Sequence, residues 1–289
     1  MVILTCDDSA DRAAANQLAL HITRERAAEL GRQTLIFIKS GVYISESGRP
    51  VEWGDLIDRS KNETVSIPPE AELPGGEVAR FSSTKITISN ETTLSAAQRL
   101  VQEGHRPLAL NFANGIHPCG GFLSGSRAQE EYLCRSSGLF AALQDDRMYK
   151  EHRKRSLPDS TDWAILSPRV PVIRSDDGSL LDEPWLVDVI TSAAPYAPRV
   201  GLEESSRLLK KRIYRILEIA RAYRYSALVL GAWGCGAFKN DPRETALSFR
   251  EALTGEFAGS FAEVVFAITD RSLERRTFGP FCEVFSETA

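Results

Sequence analysis

Three consecutive side chains, Gln129, Glu130 and Glu131, form the strongest chemical signal in the sequence. Neighbouring residues of a helix point about 100° apart, so the two carboxylates cannot face the same way. They suit separate tasks, because one can hold a sugar hydroxyl while the other acts as an acid on a glycosidic oxygen. The competing interpretation is structural, since acidic residues favour the first turn of a helix. Taken alone, the triplet favours the structural interpretation.

Three segments are richer in small residues than a plain connection requires: the first loop (residues 111–131), the second loop (191–197) and the third loop (231–240). Glycines let the backbone approach a phosphate closely, and successive N–H groups then bind it. A ligand with two phosphates could therefore lie between the first and third loops. Neither loop matches the P-loop or the G-x-G-x-x-G pattern, so this signal is weak by itself.

Strands and helices alternate from residue 85 onward, and this alternation is what must position the loops. The predicted strands cover residues 85–89, 108–113, 163–166, 170–173, 185–190, 226–230 and 262–268. The predicted helices cover residues 94–103, 129–143, 202–223 and 241–253, with Thr92 or Thr93 and Asp241 as capping residues. The order predicts an α/β fold with a mixed, largely parallel sheet covered on both faces. In such folds ligands bind beyond the carboxyl ends of the strands.

The first 80 residues have a different pattern. Residues 10–30 favour a helix, residues 35–44 favour a strand or a short helix that ends in a turn, and residues 62–76 favour a connector rich in proline and glycine. We therefore predict an N-terminal helical extension, residues 1–80, packing on a catalytic core of residues 81–289.

Composition excludes several classes of protein. The net charge of −4 does not favour general nucleic-acid binding, and no apolar run is long enough to span a bilayer. The N-terminus lacks the basic start of a secretory signal, so a cytoplasmic location is expected. No C-x-x-C pair occurs, which argues against zinc and predicts reduced cysteines. The five cysteines are Cys6, Cys119, Cys134, Cys235 and Cys282.

Several motifs together resemble one known family. Residues 111–114, Asn-Phe-Ala-Asn, resemble the Asn-Ala-Ala-Asn segment of macrodomains. Gly120-Gly121, seven residues and then the acidic triplet are similar to the signature of bacterial-type poly(ADP-ribose) glycohydrolases. Residues 234–238, the strand end at 191–195 and the N-terminal extension also fit the family in the same order. The resemblance covers nearly the whole chain and implies a macrodomain-like, three-layer α/β/α fold.

The resemblance also implies roles for individual residues. Glu131 matches the catalytic glutamate that protonates the leaving oxygen between two riboses, and Glu130 matches the residue that binds ribose hydroxyls. Gln129 matches a residue that supports the loop, and Asn114 matches one that contacts the terminal ribose. The other expected substrate-binding residues lie in the three loops: Gly120, Gly121, Thr191, Ser192, Gly234, Cys235, Gly236, Ala237 and, pressing on the ribose, Phe238.

The implied reaction is cleavage of the ribose–ribose bonds of poly(ADP-ribose), which releases ADP-ribose and needs no cofactor or metal. The expected partners are ADP-ribose, poly(ADP-ribose) and ADP-ribosylated proteins, without membrane binding. Alternatives are removal of single ADP-ribose units from protein carboxylates, a non-catalytic ADP-ribose-binding macrodomain, and an unrelated nucleotide-binding protein.

The sequence departs from the family pattern at Cys119, which stands where the family has the first glycine of three. If that position needs a positive φ, a cysteine there costs about 1 kcal/mol.

Overall fold

The computed structural model describes residues 2–8, 11, 14–15, 18, 20–75 and 79–286. The strands, in chain order, are β1 Val2–Asp7, β2 Val42–Ile44, β3 Pro50–Glu52, β4 Val65–Ile67, β5 Thr84–Ser89, β6 Pro107–Phe112, β7 Ala164–Arg174, β8 Leu180–Ser192, β9 Ala227–Leu230 and β10 Glu263–Ala267. The helices are α1 Arg24–Ser40, α2 Gly54–Glu63, α3 Thr93–Gln102, α4 Gln129–Ser136, α5 Leu139–Leu143, α6 Arg147–His152, α7 Ala197–Val200, α8 Leu202–Ala222, α9 Pro242–Thr254 and α10 Phe278–Ser286. None of the helices in this part of the chain combines the length and apolarity needed to cross a membrane.

The main sheet, as far as the described residues show it, has eight strands in the order β1-β5-β10-β9-β6-β8-β7-β4. The run from β1 to β8 is parallel, whereas β7 and β4 are antiparallel to their neighbours. Five parallel strands therefore end at one edge, where β5, β10, β9, β6 and β8 pass into the loops. The predicted α/β class with a mixed, largely parallel sheet is confirmed.

Each face of the sheet is covered by helices. The helices α8, α9 and α10 bury apolar stripes on one face, and α8 contributes Leu209, Ile213 and Ile216. On the other face lie α3, α4, α5 and α6, with Leu94 and Leu133 in the shared core. Because side chains alternate along each strand, neighbouring strand residues serve opposite cores. The sheet that carries the loops is therefore packed on both faces.

The capping predictions are confirmed at two helices that border the site. The hydroxyl of Thr92 accepts a hydrogen bond from the Ser95 N–H and begins α3. The carboxylate of Asp241 accepts from the N–H groups of Arg243 and Glu244 and begins α9, with a proline in its first turn. Both caps satisfy amide groups that a helix start otherwise leaves without partners.

The first 80 residues supply strands to the main sheet as well as helices. Strand β1 pairs with β5 at one edge, and β4 pairs with β7 at the other. Strand β4 lies inside the segment predicted as a plain connector, so that part of the prediction is wrong. Its three residues, Val-Ser-Ile, are too few to carry a strand pattern of their own, and their pairing with β7 decides the conformation. The predicted domain boundary at residue 80 stays a prediction.

The helix predicted over residues 10–30 falls partly on residues outside the described ones, and within the described part α1 begins at Arg24. Of the two predictions for residues 35–44, the helix ending in a turn is confirmed. Helix α1 runs to Ser40, and Gly41 follows with φ 71°. Gly41 adopts this left-handed conformation easily because it has no Cβ.

The single helix predicted over residues 129–143 is wrong. Helix α4 ends at Ser136, Ser137 is extended and forms a bridge to Val172, and α5 starts at Leu139. The Gly138 N–H donates to Pro171 O at 2.8 Å, so tertiary pairing with β7 takes the place of helical hydrogen bonds. The break keeps α4 short and fixes its C-terminal end to the sheet.

Candidate active site

A cavity of about 360 Å³ lies along the carboxyl edge of the sheet, above strands β5, β10, β9, β6 and β8. Its wall contains most of the residues that the sequence singles out. Those present are Asn114, Gln129, Glu130, Glu131, Gly234, Gly236, Ala237 and Phe238. The structure therefore brings the first and third loops together around one space.

Gln129 fastens the start of α4 to the end of β6. Its side-chain oxygen accepts a hydrogen bond from the Phe112 N–H at 2.9 Å, and its Nε2 donates to Leu110 O at 2.7 Å and to Thr93 Oγ1 at 3.1 Å. All these partners are in the sheet or in α3. These hydrogen bonds fix the start of α4 and therefore the backbone position of the two acids that follow Gln129.

Glu130 points into the protein beneath the first loop. Its Oε2 accepts from the Asn114 N–H at 2.7 Å, and the Cys119 N–H also donates to the carboxylate. Burial raises the pKa of Glu130 well above its ordinary value of 4.5, the Asn114 hydrogen bond lowers it in part, and the charge of Glu131 raises it. The carboxyl of Glu130 is therefore a strongly desolvated group that ties two parts of the loop together.

Glu131 turns the other way, as the helix geometry requires, and lies on the cavity wall. Its Oε1 accepts a hydrogen bond from the Gly121 N–H at 3.0 Å. Its Oε2 is buried and has no hydrogen-bond partner among the described residues. One oxygen is thus held in place, while the other has no hydrogen bond to the described residues and is left for a bound ligand.

The glycines of the first loop make room for these carboxylates. A Cβ atom on Gly120 would lie 2.3 Å from Glu131 Oε1 and 3.0 Å from Glu130 Oε2. The Gly120 N–H donates to His117 O at 3.0 Å, and the Gly121 N–H is taken by Glu131. In this structure the Gly120 N–H is bonded within the loop and the Gly121 N–H is bonded to Glu131. Neither amide is therefore available to a phosphate.

Cys119 is bonded to Cys134 in a disulfide, so the prediction of five reduced cysteines is wrong. Cys134 lies one helical turn after Glu131, and its partner lies directly before Gly120. The two cysteines are 15 residues apart, and only the fold brings their Cα atoms to 5.8 Å. Cys119 has φ 59°, which confirms that a positive φ is required where the family has glycine.

The third loop is also rich in glycine, but it leaves several of its amides open. Within the described part of the chain, the N–H groups of Gly234, Gly236, Ala237 and Phe238 have no acceptor. A Cβ atom on Gly236 would meet nothing within 4 Å, so the space beside this backbone is empty. Such a run of free N–H groups is suited to a phosphate.

Asn240 anchors the third loop from behind, with its Nδ2 donating to Pro195 O at 2.9 Å and to Gly234 O at 3.2 Å. Phe238 borders the cavity and meets Tyr196 edge-on, with ring centroids 5.8 Å apart. Cys235 does not line the cavity. Burial raises the pKa of its thiol to about 12, and its Sγ contacts Thr245 Oγ1 at 3.4 Å.

Two predicted substrate-binding residues, Thr191 and Ser192, are buried beneath the cavity and do not line it. Thr191 Oγ1 accepts from Asn111 Nδ2 at 3.3 Å, and the same amide lies 3.5 Å from Glu130 Oε1. Ser192 Oγ donates to Trp163 O at 3.1 Å. Thr191 therefore supports Glu130 through Asn111, and the second loop meets the cavity through Ala194 instead.

Sequence reasoning missed several residues that shape the site. The sequence marks Asn111 only as the first residue of the 111–114 motif, and the structure shows that it is fully buried and links Glu130 to Thr191. His152 is buried, and its Nδ1 meets Gly115 O of the first loop at 2.9 Å. Burial lowers the pKa of His152 to about 4, so this residue supports the loop in its neutral form.

Helix α1 braces the first loop from the N-terminal side. A Cβ atom on Gly31 would lie 2.6 Å from Phe122 O, and one on Gly125 would lie 2.1 Å from Arg24 O. Thr34 Oγ1 donates to Arg135 O at 2.7 Å and ties α1 to α4. The close approach of these backbones shows that the N-terminal segment helps to position the acids.

A possible cation-binding group lies at the opposite edge of the sheet. Glu103, His105 and Glu263 offer ligand atoms within 4.8 Å of one another. The Lys85 ammonium lies 2.7 Å from Glu263 and already neutralises that carboxylate. The cluster is therefore separate from the cavity and its chemistry.

Residues 31–175 match the family model of the microbial-type PARG catalytic domain, where PARG stands for poly(ADP-ribose) glycohydrolase. The PARG of Thermomonospora curvata is 39% identical, with a TM-score of 0.85 over 90% of this chain and 100% of that chain. The chain belongs to the microbial-type PARG family. No curated protein matches it.

Two further structures show what relatives of this family bind. The Thermomonospora curvata enzyme bound to the inhibitor ADP-HPD is 38% identical, with a TM-score of 0.82 over 90% of this chain and 99% of that chain. The PARG of Deinococcus radiodurans in complex with ADP-ribose is 36% identical, with a TM-score of 0.72 over 80% of this chain and 97% of that chain. The family fold implied by the sequence resemblance is confirmed.

Proposed function

We propose that the protein is a glycohydrolase that cleaves the ribose–ribose O-glycosidic bonds of poly(ADP-ribose) and releases ADP-ribose. The observation that carries this proposal is the hydrogen bonding of the two Glu131 carboxylate oxygens in a member of the PARG family. One of its oxygens is fixed by the Gly121 N–H, and the other is buried, without a partner among the described residues, on the cavity wall.

The acid step follows from this geometry. Glu131 donates a proton to the oxygen that links the two riboses, as positive charge develops at the anomeric carbon. Water then attacks the anomeric carbon, and Glu131 takes up a proton from it. The Gly121 N–H stabilises the carboxylate after proton donation, because it bonds to the other oxygen.

The remaining residues position the substrate. The open amides at Gly234, Gly236, Ala237 and Phe238 are suited to a diphosphate, which needs no positive side chain there. Both Asn114 and Glu130 contribute to the cavity wall, and we assign the hydroxyls of the terminal ribose to them as the family resemblance implies, with the Phe238 ring limiting the orientation of that ribose. The diphosphate and the terminal ribose thus have complementary groups along a single cavity.

The test is to incubate the wild type and Glu131→Gln with poly(ADP-ribose) and to measure released ADP-ribose. Gln keeps the shape and the Gly121 hydrogen bond but cannot donate the acid proton, so turnover should fall at least a thousandfold. Affinity for ADP-ribose should stay within a few-fold. Glu52→Gln, on an exposed residue of β3, is the matched control and should leave turnover unchanged.

Two other results would point elsewhere. Equal, negligible release by the wild type and Glu131→Gln, together with ADP-ribose binding, would make the protein a non-catalytic reader. Release of ADP-ribose from proteins modified on single glutamates, but not from the polymer, would show that the bond cleaved is the ester between ribose and a protein carboxylate instead of the ribose–ribose O-glycosidic bond.

A further inference from the structure

Two of the three free cysteines lie together at the β1 edge of the main sheet. Cys6 is exposed near the end of β1, and Cys282 is half-buried on α10, which packs against β1 and β5. The two thiols share a hydrogen bond, although the residues lie near opposite ends of the chain. The third free cysteine, Cys235, instead contacts the hydroxyl of Thr245 and the carbonyl of Trp233.

Contacts that do not involve the thiols hold the same two elements together. Asp8, two residues after Cys6, forms a salt bridge of 2.7 Å with Nε of Arg275, which lies in the segment leading into α10. The Asn90 Nδ2 donates to the other oxygen of Asp8 at 3.2 Å and ties the same point to the end of β5. The fold therefore keeps Cys6 and Cys282 side by side.

Their environments give the two sulfurs different reactivities. Cys6 is exposed, so an oxidant in solution can reach it. Burial raises the pKa of the Cys282 thiol, and the hydrogen bond to Cys6 and the charge of the Cys6 thiolate raise it further. Cys282 is thus kept as a thiol while Cys6 is reduced. Both effects of Cys6 weaken once oxidation makes its sulfur neutral, so Cys282 then becomes a better nucleophile.

We propose that Cys6 and Cys282 form a redox-active thiol pair, which hydrogen peroxide oxidises to a disulfide joining β1 to α10. The Cys6 thiolate attacks the peroxide, an S–O bond forms, the O–O bond breaks, and the departing hydroxide takes up a proton to become water. Cys282 then loses its proton and attacks the Cys6 sulfur, so that an S–S bond forms and the S–O bond breaks with release of a second water. The two thiols lose two electrons and two protons, and the peroxide is reduced to two waters.

The product would constrain the chain in a different way from the disulfide between Cys119 and Cys134. It closes a ring that contains nearly the whole chain, and the restriction of the unfolded state grows with ring size. Because one of its sulfurs is exposed, a dithiol in solution can reduce the bond again. Neither Cys6 nor Cys282 is among the described residues that line the cavity, so the pair and its test are independent of the proposed function.

The test treats the native protein with hydrogen peroxide and then titrates its thiols after denaturation without reductant. The three free thiols of the wild type should fall to one, that of Cys235, and digestion should yield a peptide that joins Cys6 to Cys282. The midpoint of thermal unfolding should rise by about 5 °C, and a dithiol should reverse the change. Cys235→Ser is the matched control, since it removes a free thiol outside the pair, and it should still form the cross-link.

The two single variants test the order of the steps. In Cys282→Ser the oxidised Cys6 has no thiol to attack it, so a 1,3-dicarbonyl reagent should trap the sulfenic acid on Cys6. In Cys6→Ser the thiol of Cys282 should remain unmodified. A sulfenic acid on Cys282 in place of Cys6 would overturn the proposal. Oxidation of the wild type that leaves three thiols, joins two molecules through Cys6, or leaves the unfolding midpoint unchanged would overturn it as well.

Discussion

The first and third loops are both rich in glycine, yet the structure uses their glycines in opposite ways. In the first loop the amides of Cys119 and Gly121 bond to Glu130 and Glu131, and the missing Cβ of Gly120 makes room for the carboxylates. In the third loop four amides have no partner in the described structure, and the space beside Gly236 is empty.

The difference shows that a glycine-rich loop can serve a catalytic site by two physical routes. One route turns the backbone inward and holds acidic side chains, and the other turns it outward and leaves donors for a ligand. The first loop is also fixed by α1, by His152 and by a disulfide. Rigidity is therefore concentrated on the side that carries the acid.

The largest expected effect comes from Gly120→Ala. The added Cβ would lie 2.3 Å from Glu131 Oε1, and the backbone has φ 53°, so the acid must move. We expect kcat/KM on poly(ADP-ribose) to fall about a thousandfold, equivalent to about 4 kcal/mol in the transition state. Gly236→Ala is the matched variant in the other loop and should cost less than tenfold. Similar losses in both variants would refute the contrast between the loops.

The second expected effect concerns the disulfide. Replacing Cys119 and Cys134 together by Ser removes a cross-link that spans 15 residues, and a loop of that size stabilises a protein by about 3 kcal/mol. Denaturant unfolding should show this loss, and reductant should destabilise the wild type but not the double variant. Cys6→Ser, at an exposed free cysteine, should behave as the wild type. A wild type that is indifferent to reductant would contradict the covalent link.

The third expected effect is a pH dependence of the protein's stability, which arises from Glu130 beneath the first loop. Because burial raises the pKa of Glu130 above 4.5, the folded protein holds this proton where the unfolded chain has lost it. The contribution of Glu130 to stability is complete below pH 4.5 and is lost as the pH rises toward the folded pKa, by about 1.4 kcal/mol per pH unit. Glu130→Gln should remove this slope in unfolding experiments at pH values above 4.5. An unchanged slope would mean that the carboxyl is not desolvated.

The smallest expected effect is on amide exchange. Before ligand is added, the N–H groups of Gly120 and Gly121 should exchange slowly, and those of Gly236 and Ala237 should exchange fast. Saturation with ADP-ribose should slow the third loop by about tenfold and leave the first loop nearly unchanged. Slowing confined to the first loop would reverse the assignment of the phosphate site.

Much of the fold could be predicted from the sequence, because its strongest patterns are local. The capping residue Asp241 predicts where α9 begins, and the apolar stripe of α8 predicts that helix directly. Strand β4 and the break at Ser137 could not be predicted, since each depends on pairing with β7. The order of strands in the sheet is likewise decided by packing between distant segments.

The residue types of the candidate site could be predicted from the sequence, whereas the orientations of the side chains could not. Spacing placed Glu130 and Glu131 at a helix start, and the structure adds which oxygen is held and which is free. The pairing of Cys119 with Cys134 needs two elements to meet in space, so sequence separation gives no sign of it. The predicted cytoplasmic location stays a prediction, and the disulfide bears on it because such bonds persist mainly in oxidising compartments.

The disulfide also changes how the chain is connected. It closes a ring that contains Gly120, Glu131 and the exposed Arg127, a residue after which trypsin-like proteases cut. A single cut there would leave the two fragments joined through Cys119 and Cys134, so they would migrate as one band without reductant and as two with it. The backbone of the segment that carries both acids can thus be opened without the protein coming apart.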